Sequence, residues 1–315
     1  MNTSDLQKLA LHTRSMREAG ITILVASGIL AFFLFIPISP EQNDPDLITI
    51  TPTTAPNAFA NVSLDANAAI VYDLVTGETL YAKNADAQLP LASLTKLLTV
   101  YAALTVLSLE TPITIPESAS TVDGLRTFSV GQTFSLYDLA RLTLTASLND
   151  GAIAIANATA IRESRSEAEM LAGAAAALNL SQTYAVNGSG LDSNSIISGS
   201  YGSAMDVARL AGAIVEKAPG IAAATTQSSA EAVSVGGTSF SVKNTSPIVG
   251  TIQRLLLSKT GYTNLAGGNL ALVFDAGIQH PIAVVVLGSS LKSRFTDGTA
   301  LVAATLAHFA GVSSL

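Results

Sequence analysis

The string Ser93-Leu94-Thr95-Lys96 lies at the start of an apolar stretch with helical periodicity, and two short polar strings follow it along the chain. They are Ser147-Leu148-Asn149 and Lys259-Thr260-Gly261, and each of these two patterns occurs once. The first pattern alone is weak evidence, because it also occurs at Ser289-Ser290-Leu291-Lys292. The order of the three strings and their places on the predicted elements therefore have to be weighed together.

Composition excludes several kinds of chemistry. The 315 residues are 49% hydrophobic, which is enough to bury a sizeable core. Cysteine is absent, so a disulfide framework, a thiolate metal site and a thiol nucleophile are all excluded. The net charge of −7 argues against a nucleic-acid partner, because phosphate binding needs clustered Lys and Arg. Neither His280 nor His308 lies near a nucleophile-elbow pattern, so lysine is the better candidate for a base that activates serine.

The N-terminal segment predicts the location of the chain. Residues 21–38 form an uncharged apolar run of about the length that a bilayer core requires. Lys8, Arg14 and Arg17 precede this run and acidic residues follow it, which places residues 1–19 in the cytoplasm by the positive-inside rule. We expect a single-pass cell-membrane protein whose folded domain lies on the extracytoplasmic side.

A cleaved signal peptide is the alternative to an anchor. Its cleavage site would be Ala58-Phe59-Ala60, which lies about twenty positions later than such a site should. The segment after the apolar run is rich in Pro, Thr and Asn and lacks periodicity, as expected of a tether. The sequence therefore predicts a cytoplasmic tail, a transmembrane signal anchor, a flexible tether and a catalytic domain, at residues 1–19, 20–39, 40–61 and 62–315.

Hydrophobic patterning predicts strands at both ends of the folded part and helices between them. Two short strands flank a turn near the N-terminal end, and three apolar runs separated by Gly and Asn lie near the C-terminal end. The predicted strands are residues 68–74, 79–84, 253–260, 268–275 and 281–288. The predicted helices begin at Pro90, Ser135, Gly151, Ser166, Ser203 and Thr296. This order indicates an α+β fold with a mixed, mainly antiparallel sheet built from both ends of the domain and flanked by helices.

The placement of Ser93 and Lys96 suits an activated serine. Residues three apart on a helix share one face, so the two side chains can meet. A helix N-terminus supplies free N–H groups beside the serine, and the Ser93 N–H is a candidate oxyanion donor. Lys96 could act as a neutral base if burial and a second cation, such as Lys259, lower its pKa. The alternative is a surface serine and a solvated lysine on an amphipathic helix.

The other two strings supply further polar groups. Ser147 lies between two helices, where its hydroxyl could relay a proton, and the Asn149 amide could hold a substrate carbonyl while bonding to Lys96. Lys259 and Thr260 end an apolar strand and could bind an anionic group. Gly261 permits close approach of a substrate backbone, and the Tyr262 N–H is the second candidate oxyanion donor. Helix capping and a plain strand-end turn are the structural alternatives for these strings.

The three strings in this order resemble the motifs of penicillin-binding proteins and β-lactamases. The chain is most similar to the D-alanyl-D-alanine carboxypeptidases of low molecular mass, from about residue 62 to the C-terminus. Further similarity lies in three segments: Asn187-Gly188-Ser189-Gly190-Leu191-Asp192, residues 201–208, and residues 259–267. The resemblance implies a β-lactamase-like fold without a cofactor or metal. It makes Ser93 the nucleophile, Lys96 the base, Ser147 and Asn149 the pair of the second motif, and Lys259 and Thr260 the carboxylate-binding pair.

The chain departs from the family pattern at two positions. Leu148 stands where these carboxypeptidases usually have glycine, and we expect it to narrow the cleft or alter its lid. Gly188 stands where proline is usual. Lys243 is assigned to the position at which relatives carry a basic residue near the third motif.

The resemblance implies that the substrate is the D-Ala-D-Ala end of peptidoglycan stem peptides, and that β-lactams are covalent inhibitors. Three alternatives stay open. Endopeptidase or transpeptidase action on peptide cross-links uses the same residues. A class A β-lactamase needs a Glu-x-x-Leu-Asn loop, and Glu163, Glu167 and Glu169 head no such string. A non-catalytic cell-wall binding module is the third alternative, although it has no need for both lysines and both serines.

Overall fold

The chain divides into two compact units, Met1–Thr53 and Thr54–Leu315. The structure is a computed structural model that describes residues 3–34, 57–121, 123 and 126–311. In the first unit, helix α1 runs over Thr3–Leu34. Within these described residues, no helix is both long enough and apolar enough to cross a membrane. Residues 35–38 of the apolar run and residues 40–56 of the predicted tether lie outside the described residues.

Helices make up the middle and the C-terminal end of the second unit. Its described helices are a 3₁₀ helix (Ala92–Leu94), α2 (Thr95–Val106), a second 3₁₀ helix (Glu117–Thr121), α3 (Leu136–Ala146), α4 (Asn149–Glu163), α5 (Glu167–Ala177), α6 (Ala204–Lys217), α7 (Pro219–Ala224) and α8 (Ser293–Phe309). Several begin with the cap residues that the sequence predicts. Ser135 and Ser203 accept hydrogen bonds from backbone N–H groups three residues on, and Ser166 forms a reciprocal capping box with Glu169.

The strands of the second unit form one large sheet and three small ones. The described strands are β1 (Ala68–Asp73), β2 (Thr79–Lys83), β3 (Leu89–Pro90), β4 (Pro112–Thr114), β5 (Thr133–Ser135), β6 (Tyr184–Ala185), β7 (Ser200–Gly202), β8 (Ser229–Val233), β9 (Ser239–Lys243), β10 (Leu255–Thr263), β11 (Gly267–Asp275) and β12 (Pro281–Ser289). Sequence patterning did not predict the β8–β9 hairpin, whose strands are short and half exposed.

The large sheet joins both ends of the folded unit. Its strand order is β10-β11-β12-β1-β2, so the N-terminal strand β1 pairs with the C-terminal strand β12. The prediction of a sheet built from both termini is therefore confirmed. The expected mixture of directions was wrong, since every strand pair in the described residues is antiparallel. Short turns connect β1 to β2 and β10 through β12, and such turns join antiparallel neighbours.

Side chains on the two faces of the sheet bury into two hydrophobic clusters. Along β12, Ala283, Val285 and Leu287 pack in the cluster that contains α2, α3 and α6. Their neighbours Ile282, Val284 and Val286 pack in the other cluster, with α8. Alternate residues of a strand point to opposite faces, so β12 is apolar at almost every position. Helices therefore cover both faces, and β10 forms one edge of the sheet.

Candidate active site

Ser93 lies between the edge strand β10 and the start of α2. We expected it in the first turn of an α-helix, but it occupies the 3₁₀ helix that precedes α2, and the α-helix begins at Thr95. Ala92, just before it, has a φ of 50°, which is uncommon for a residue with a Cβ. Strained backbone of this kind clusters at functional sites. The Ser93 side chain stays partly exposed while its neighbours are buried.

The Lys96 amine is buried and surrounded by three oxygen atoms. Its Nζ lies 2.8 Å from Ser93 Oγ, 2.8 Å from Asn149 Oδ1 and 2.6 Å from the Ser189 carbonyl. The residue is 0% exposed. Burial lowers the pKa of Lys96 to about 7, although the nearby Asp150 carboxylate opposes this shift. A substantial fraction of this amine is therefore neutral near pH 7, as a proton acceptor for serine must be.

The second string connects α3 to α4. Ser147 has a φ of 60° at the C-terminal cap of α3, and Asn149 begins α4. This sharp turn directs the Ser147 hydroxyl to the Lys259 amine and the Asn149 side chain to Lys96. Leu148 does not narrow the cleft as expected. It is 3% exposed and packs in the main core, because its apolar side chain is more stable there than in a polar cleft.

Lys259 is the second buried amine of the site. Its Nζ donates to Ser147 Oγ at 2.8 Å and to the Thr260 carbonyl at 2.7 Å. Burial is the main cause that lowers its pKa well below the ordinary lysine value, and the positive charges of Lys96 and Arg294 lower it further. Ser147 thus links the third string to the second.

The rest of the third string lies along the 3₁₀ helix of Ser93. A Cβ on Gly261 would come within 2.9 Å of the Leu91 carbonyl and 3.3 Å of the Ser93 nitrogen. Only glycine allows β10 to approach the serine backbone so closely. The Thr260 hydroxyl is buried and bonds to Thr245, while the Tyr262 side chain is 46% exposed. All eight residues predicted for the site therefore lie on the connected elements just described.

Comparison with known proteins agrees with this geometry. The profile of D-alanyl-D-alanine carboxypeptidases matches residues 52–290. The chain belongs to the D-alanyl-D-alanine carboxypeptidase family. The family that the sequence motifs resemble is thus confirmed.

Individual relatives differ in the activity that they are named for. A D-alanyl-D-alanine endopeptidase of Pseudomonas aeruginosa is 29% identical over 243 residues, which cover 76% of each protein. A penicillin-binding protein of Listeria monocytogenes, solved with cefotaxime bound, has a TM-score of 0.65 and 26% identity, over 78% of this chain and 98% of its own. A D-alanyl-D-alanine carboxypeptidase of Mycobacterium tuberculosis has a TM-score of 0.68 at 22% identity, over 80% and 96% of the two chains, which shows the fold.

Two residues of the site are not indicated by the sequence motifs. The buried Arg294, from α8, donates through Nη1 to the Gly261 carbonyl at 2.6 Å. Thr245 Oγ1 lies 2.7 Å from Thr260 Oγ1. Thr245 therefore contacts the third motif, whereas the side chain of Lys243 is exposed. No local pattern marks these residues, because each meets the motif only through the tertiary fold.

The second Ser-x-x-Lys string is structural. Ser289 lies at the end of β12 and is buried, and its hydroxyl donates to Asp297 Oδ2 at 2.8 Å. Asp297 also accepts hydrogen bonds from the backbone of residues 65 and 66. Lys292 is exposed ahead of α8. This string therefore ties the two ends of the domain together and is useful as a control for Ser93.

Proposed function

We propose that this protein is a serine D-Ala-D-Ala carboxypeptidase that trims peptidoglycan stem peptides through an acyl-enzyme on Ser93. The observation that carries the proposal is the 2.8 Å contact between Lys96 Nζ and Ser93 Oγ, made by a buried amine with a pKa of about 7. A serine hydroxyl needs such a base, since it is too weakly acidic to attack unaided. Membership of the carboxypeptidase family supports the substrate.

In the proposed acylation step, Lys96 takes the Ser93 proton while Oγ attacks the carbonyl of the penultimate D-alanine. The tetrahedral oxyanion is stabilised by the N–H groups of Ser93 and Tyr262, which lie on adjacent segments of the site. The intermediate collapses as the C–N bond breaks, and the proton passes to the leaving amine. D-alanine departs, and water later hydrolyses the ester. Ser147, bonded to Lys259, is suited to relay the proton.

The terminal carboxylate of the substrate is assigned to Lys259 and Thr260. The positive charge on Lys259 is disfavoured in the free enzyme, because its pKa is lowered by burial and by neighbouring cations. A bound carboxylate would favour the charged form of this lysine and raise its pKa. Thr260, held by Thr245, adds a hydroxyl donor.

Covalent labelling with a fluorescent penicillin tests the proposal. Ser93→Ala should abolish both the label and the release of D-alanine from a pentapeptide that ends in D-Ala-D-Ala. Ser289→Ala is the matched control, because it changes the serine of the other Ser-x-x-Lys string, and it should keep both activities. An adduct mapped by mass spectrometry to a residue other than Ser93 would contradict the assignment.

Endopeptidase action on peptide cross-links is the second candidate, favoured by the similarity to the endopeptidase of Pseudomonas aeruginosa. The two activities share the acyl-enzyme and differ in the group that leaves. Purified cross-linked muropeptide dimers and the pentapeptide should therefore be offered in parallel. Conversion of dimers to monomers without free D-alanine would identify the endopeptidase.

We also propose that the catalytic domain acts outside the cytoplasm, tethered by the N-terminal segment. The support is the charge distribution of the sequence, with Lys8, Arg14 and Arg17 before the apolar run of residues 21–38. In intact cells, a tag at the N-terminus should be protected from protease, and a tag at the C-terminus should become accessible once the outer envelope is opened. A mature protein that begins at Asn61 would instead show a cleaved signal.

A further inference from the structure

The Ser189 carbonyl lies beside the Lys96 amine, where it can orient the N–H bonds of that amine. A neutral amine has two N–H bonds and one lone pair. Asn149 Oδ1 and the Ser189 carbonyl, at 2.8 Å and 2.6 Å, can accept both N–H bonds, which leaves the lone pair for the Ser93 hydroxyl. If the Ser189 carbonyl moved away, the amine could rotate and present an N–H to Ser93. The loop of residues 187–191 therefore controls whether Lys96 is oriented as a base.

Two side chains hold this loop at Gly188. Thr99, on α2, donates its hydroxyl to the Gly188 carbonyl at 2.8 Å. Glu167, at the start of α5, accepts the Gly188 N–H at 2.5 Å through Oε1. The carbonyl of Gly188 belongs to the peptide group that leads into Ser189. A displacement at Gly188 is therefore passed directly to Ser189.

The fit on the Cβ side of Gly188 is tight. A Cβ there would lie 2.7 Å from Ala156 Cβ, 2.8 Å from Glu167 Oε1 and 2.9 Å from Thr99 Oγ1. Gly188 is also the position at which this chain departs from the Asn-Pro-x-Gly-Leu loop that it resembles. Proline has no N–H, so the bond to Glu167 depends on that departure. In this chain, Glu167 and Gly188 thus act as a pair.

The other side of the loop faces open space. A pocket of about 370 Å³ is lined there by Glu167, Asn187 and Ser189, among others. Beside this pocket the loop is restrained by the hydrogen bonds at Gly188 and by those that Asn187 and Ser189 make within the loop. Glu167 itself is half-buried in the first turn of α5, and burial raises the pKa of its carboxyl group, although the bond from the Gly188 N–H opposes this shift.

We propose that Glu167 is a positioning residue for the reaction: its bond to Gly188 fixes the Ser189 carbonyl, which in turn orients Lys96 as the base. The proposal rests on the proposed function, because it assigns Glu167 an effect on acylation of Ser93. It differs from the role of a deacylating glutamate, since Glu167 acts here through the bond from the Gly188 N–H to its Oε1 and not on a water molecule.

The test compares acylation by penicillin in the full chain and in three variants, with the rate constant of acylation separated from the initial binding constant. Glu167→Ala should slow acylation by on the order of tenfold to a hundredfold, because a small misorientation of a reacting group has effects of this size. Its initial binding constant should be unchanged. Glu167→Gln keeps an oxygen acceptor for Gly188 and should restore most of the rate. Glu169→Ala is the matched control, since Glu169 lies in the same turn but bonds only to Ser166.

Amide hydrogen exchange across residues 187–191 supplies a readout that does not depend on activity. Exchange should be faster in Glu167→Ala than in the wild type, and unchanged in Glu167→Gln and Glu169→Ala. Three outcomes overturn the proposal: wild-type acylation by Glu167→Ala, a loss in Glu167→Gln as large as in Glu167→Ala, or an equal loss in Glu169→Ala. If no penicillin acylates the wild type, the proposed function is refuted. The exchange data would then still test whether Glu167 restrains the loop of residues 187–191.

Discussion

Lys96 and Lys259 are two buried amines of one cleft, and the positive charge of Lys96 lowers the pKa of Lys259. Each amine contacts a different serine: Lys96 bonds to Ser93, and Lys259 bonds to Ser147. Two ammonium groups so placed repel each other, and burial disfavours both charges. Protonation of one amine therefore disfavours protonation of the other.

The pH dependence of acylation follows from the lowered pKa of Lys96. Only the neutral amine accepts the Ser93 proton, so the acylation rate should rise with pH and level off above an apparent pKa of about 7. An ordinary lysine would give a rise near its usual value of about 10.4 instead. Stopped-flow measurement of penicillin acylation from about pH 5 to about pH 9 checks this.

The matched variant is Lys96→Arg, which keeps a positive charge but cannot be deprotonated in a protein. Its acylation rate should fall by on the order of a thousandfold, the usual contribution of a general base. A rate near that of the wild type in Lys96→Arg, or a flat pH profile in the wild type, would remove Lys96 from the role of base.

Ser147 combines a polar contact with a strained backbone. Its φ of 60° is unfavourable for a residue with a Cβ, by about 1–2 kcal/mol. Ser147→Gly should therefore be more stable than Ser147→Ala by about 1 kcal/mol. Both variants lose the hydroxyl at Lys259 and should lose activity to a similar extent. Denaturant unfolding and D-alanine release provide the two measurements. If Ser147→Gly instead kept more activity than Ser147→Ala, in line with its higher stability, the hydroxyl would have no part in the reaction.

Much of this site could be predicted from the sequence because its polar strings lie next to strong local signals. The apolar run of α2 predicts that Ser93 and Lys96 lie at the start of a helix, and the apolar run of β10 predicts that Lys259 and Thr260 lie on a strand. The same local reasoning placed the sheet at both ends of the domain, since hydrophobic runs differ clearly from the alanine-rich helices between them.

What local patterns could not predict are contacts made between distant segments. Arg294 reaches Gly261 across 33 positions, and Glu167 reaches Gly188 across 21 positions. The burial of the Leu148 side chain could not be predicted for a related reason. A motif position suggests a cleft, but the turn at Ser147 directs the next side chain into the core.

Arg294 should support the carboxylate-binding end of the cleft. Its guanidinium holds the Gly261 carbonyl and adds positive charge beside Lys259. Arg294→Met should lower the second-order acylation constant by on the order of tenfold to a hundredfold, the value of a hydrogen bond to a charged group. The pKa of Lys259 should rise, because one neighbouring cation is removed. Arg209→Met, on the exposed side of α6, is the control and should acylate normally. Equal rates in the two variants would restrict Arg294 to a structural role.

The contact between Thr245 and Thr260 should have a smaller effect, on affinity for the substrate. Thr245→Val keeps the shape of the side chain but removes the hydroxyl that lies 2.7 Å from Thr260. Affinity for substrates with a free terminal carboxylate should fall about fivefold, as expected for one neutral hydrogen bond. Lys243→Ala should leave affinity unchanged, because Lys243 is exposed at the end of β9. The opposite ranking would support the assignment of Lys243 as the basic residue near the third motif.

The lifetime of the penicilloyl adduct separates a peptidase from a β-lactamase. Rapid hydrolysis of that ester needs a general base that holds water against it, and the candidates in the chain segment after the second motif are Glu163, Glu167 and Glu169. Glu167 is engaged by the Gly188 N–H, and Glu169 is engaged by Ser166. Glu163 is the last residue of α4 and is partly exposed. None of the three heads the Glu-x-x-Leu-Asn string of a class A β-lactamase, so the adduct on Ser93 should persist for minutes or longer.

A chase after brief labelling measures that lifetime, and free D-alanine from the pentapeptide is assayed in the same preparation. Glu167→Gln should leave the adduct lifetime unchanged, because its role is to orient the base during acylation rather than to activate water afterwards. Turnover of the adduct within seconds in the wild type, lost in Glu167→Gln, would identify Glu167 as a deacylating base. That result would also move the protein from the peptidase branch toward the β-lactamase branch of the fold.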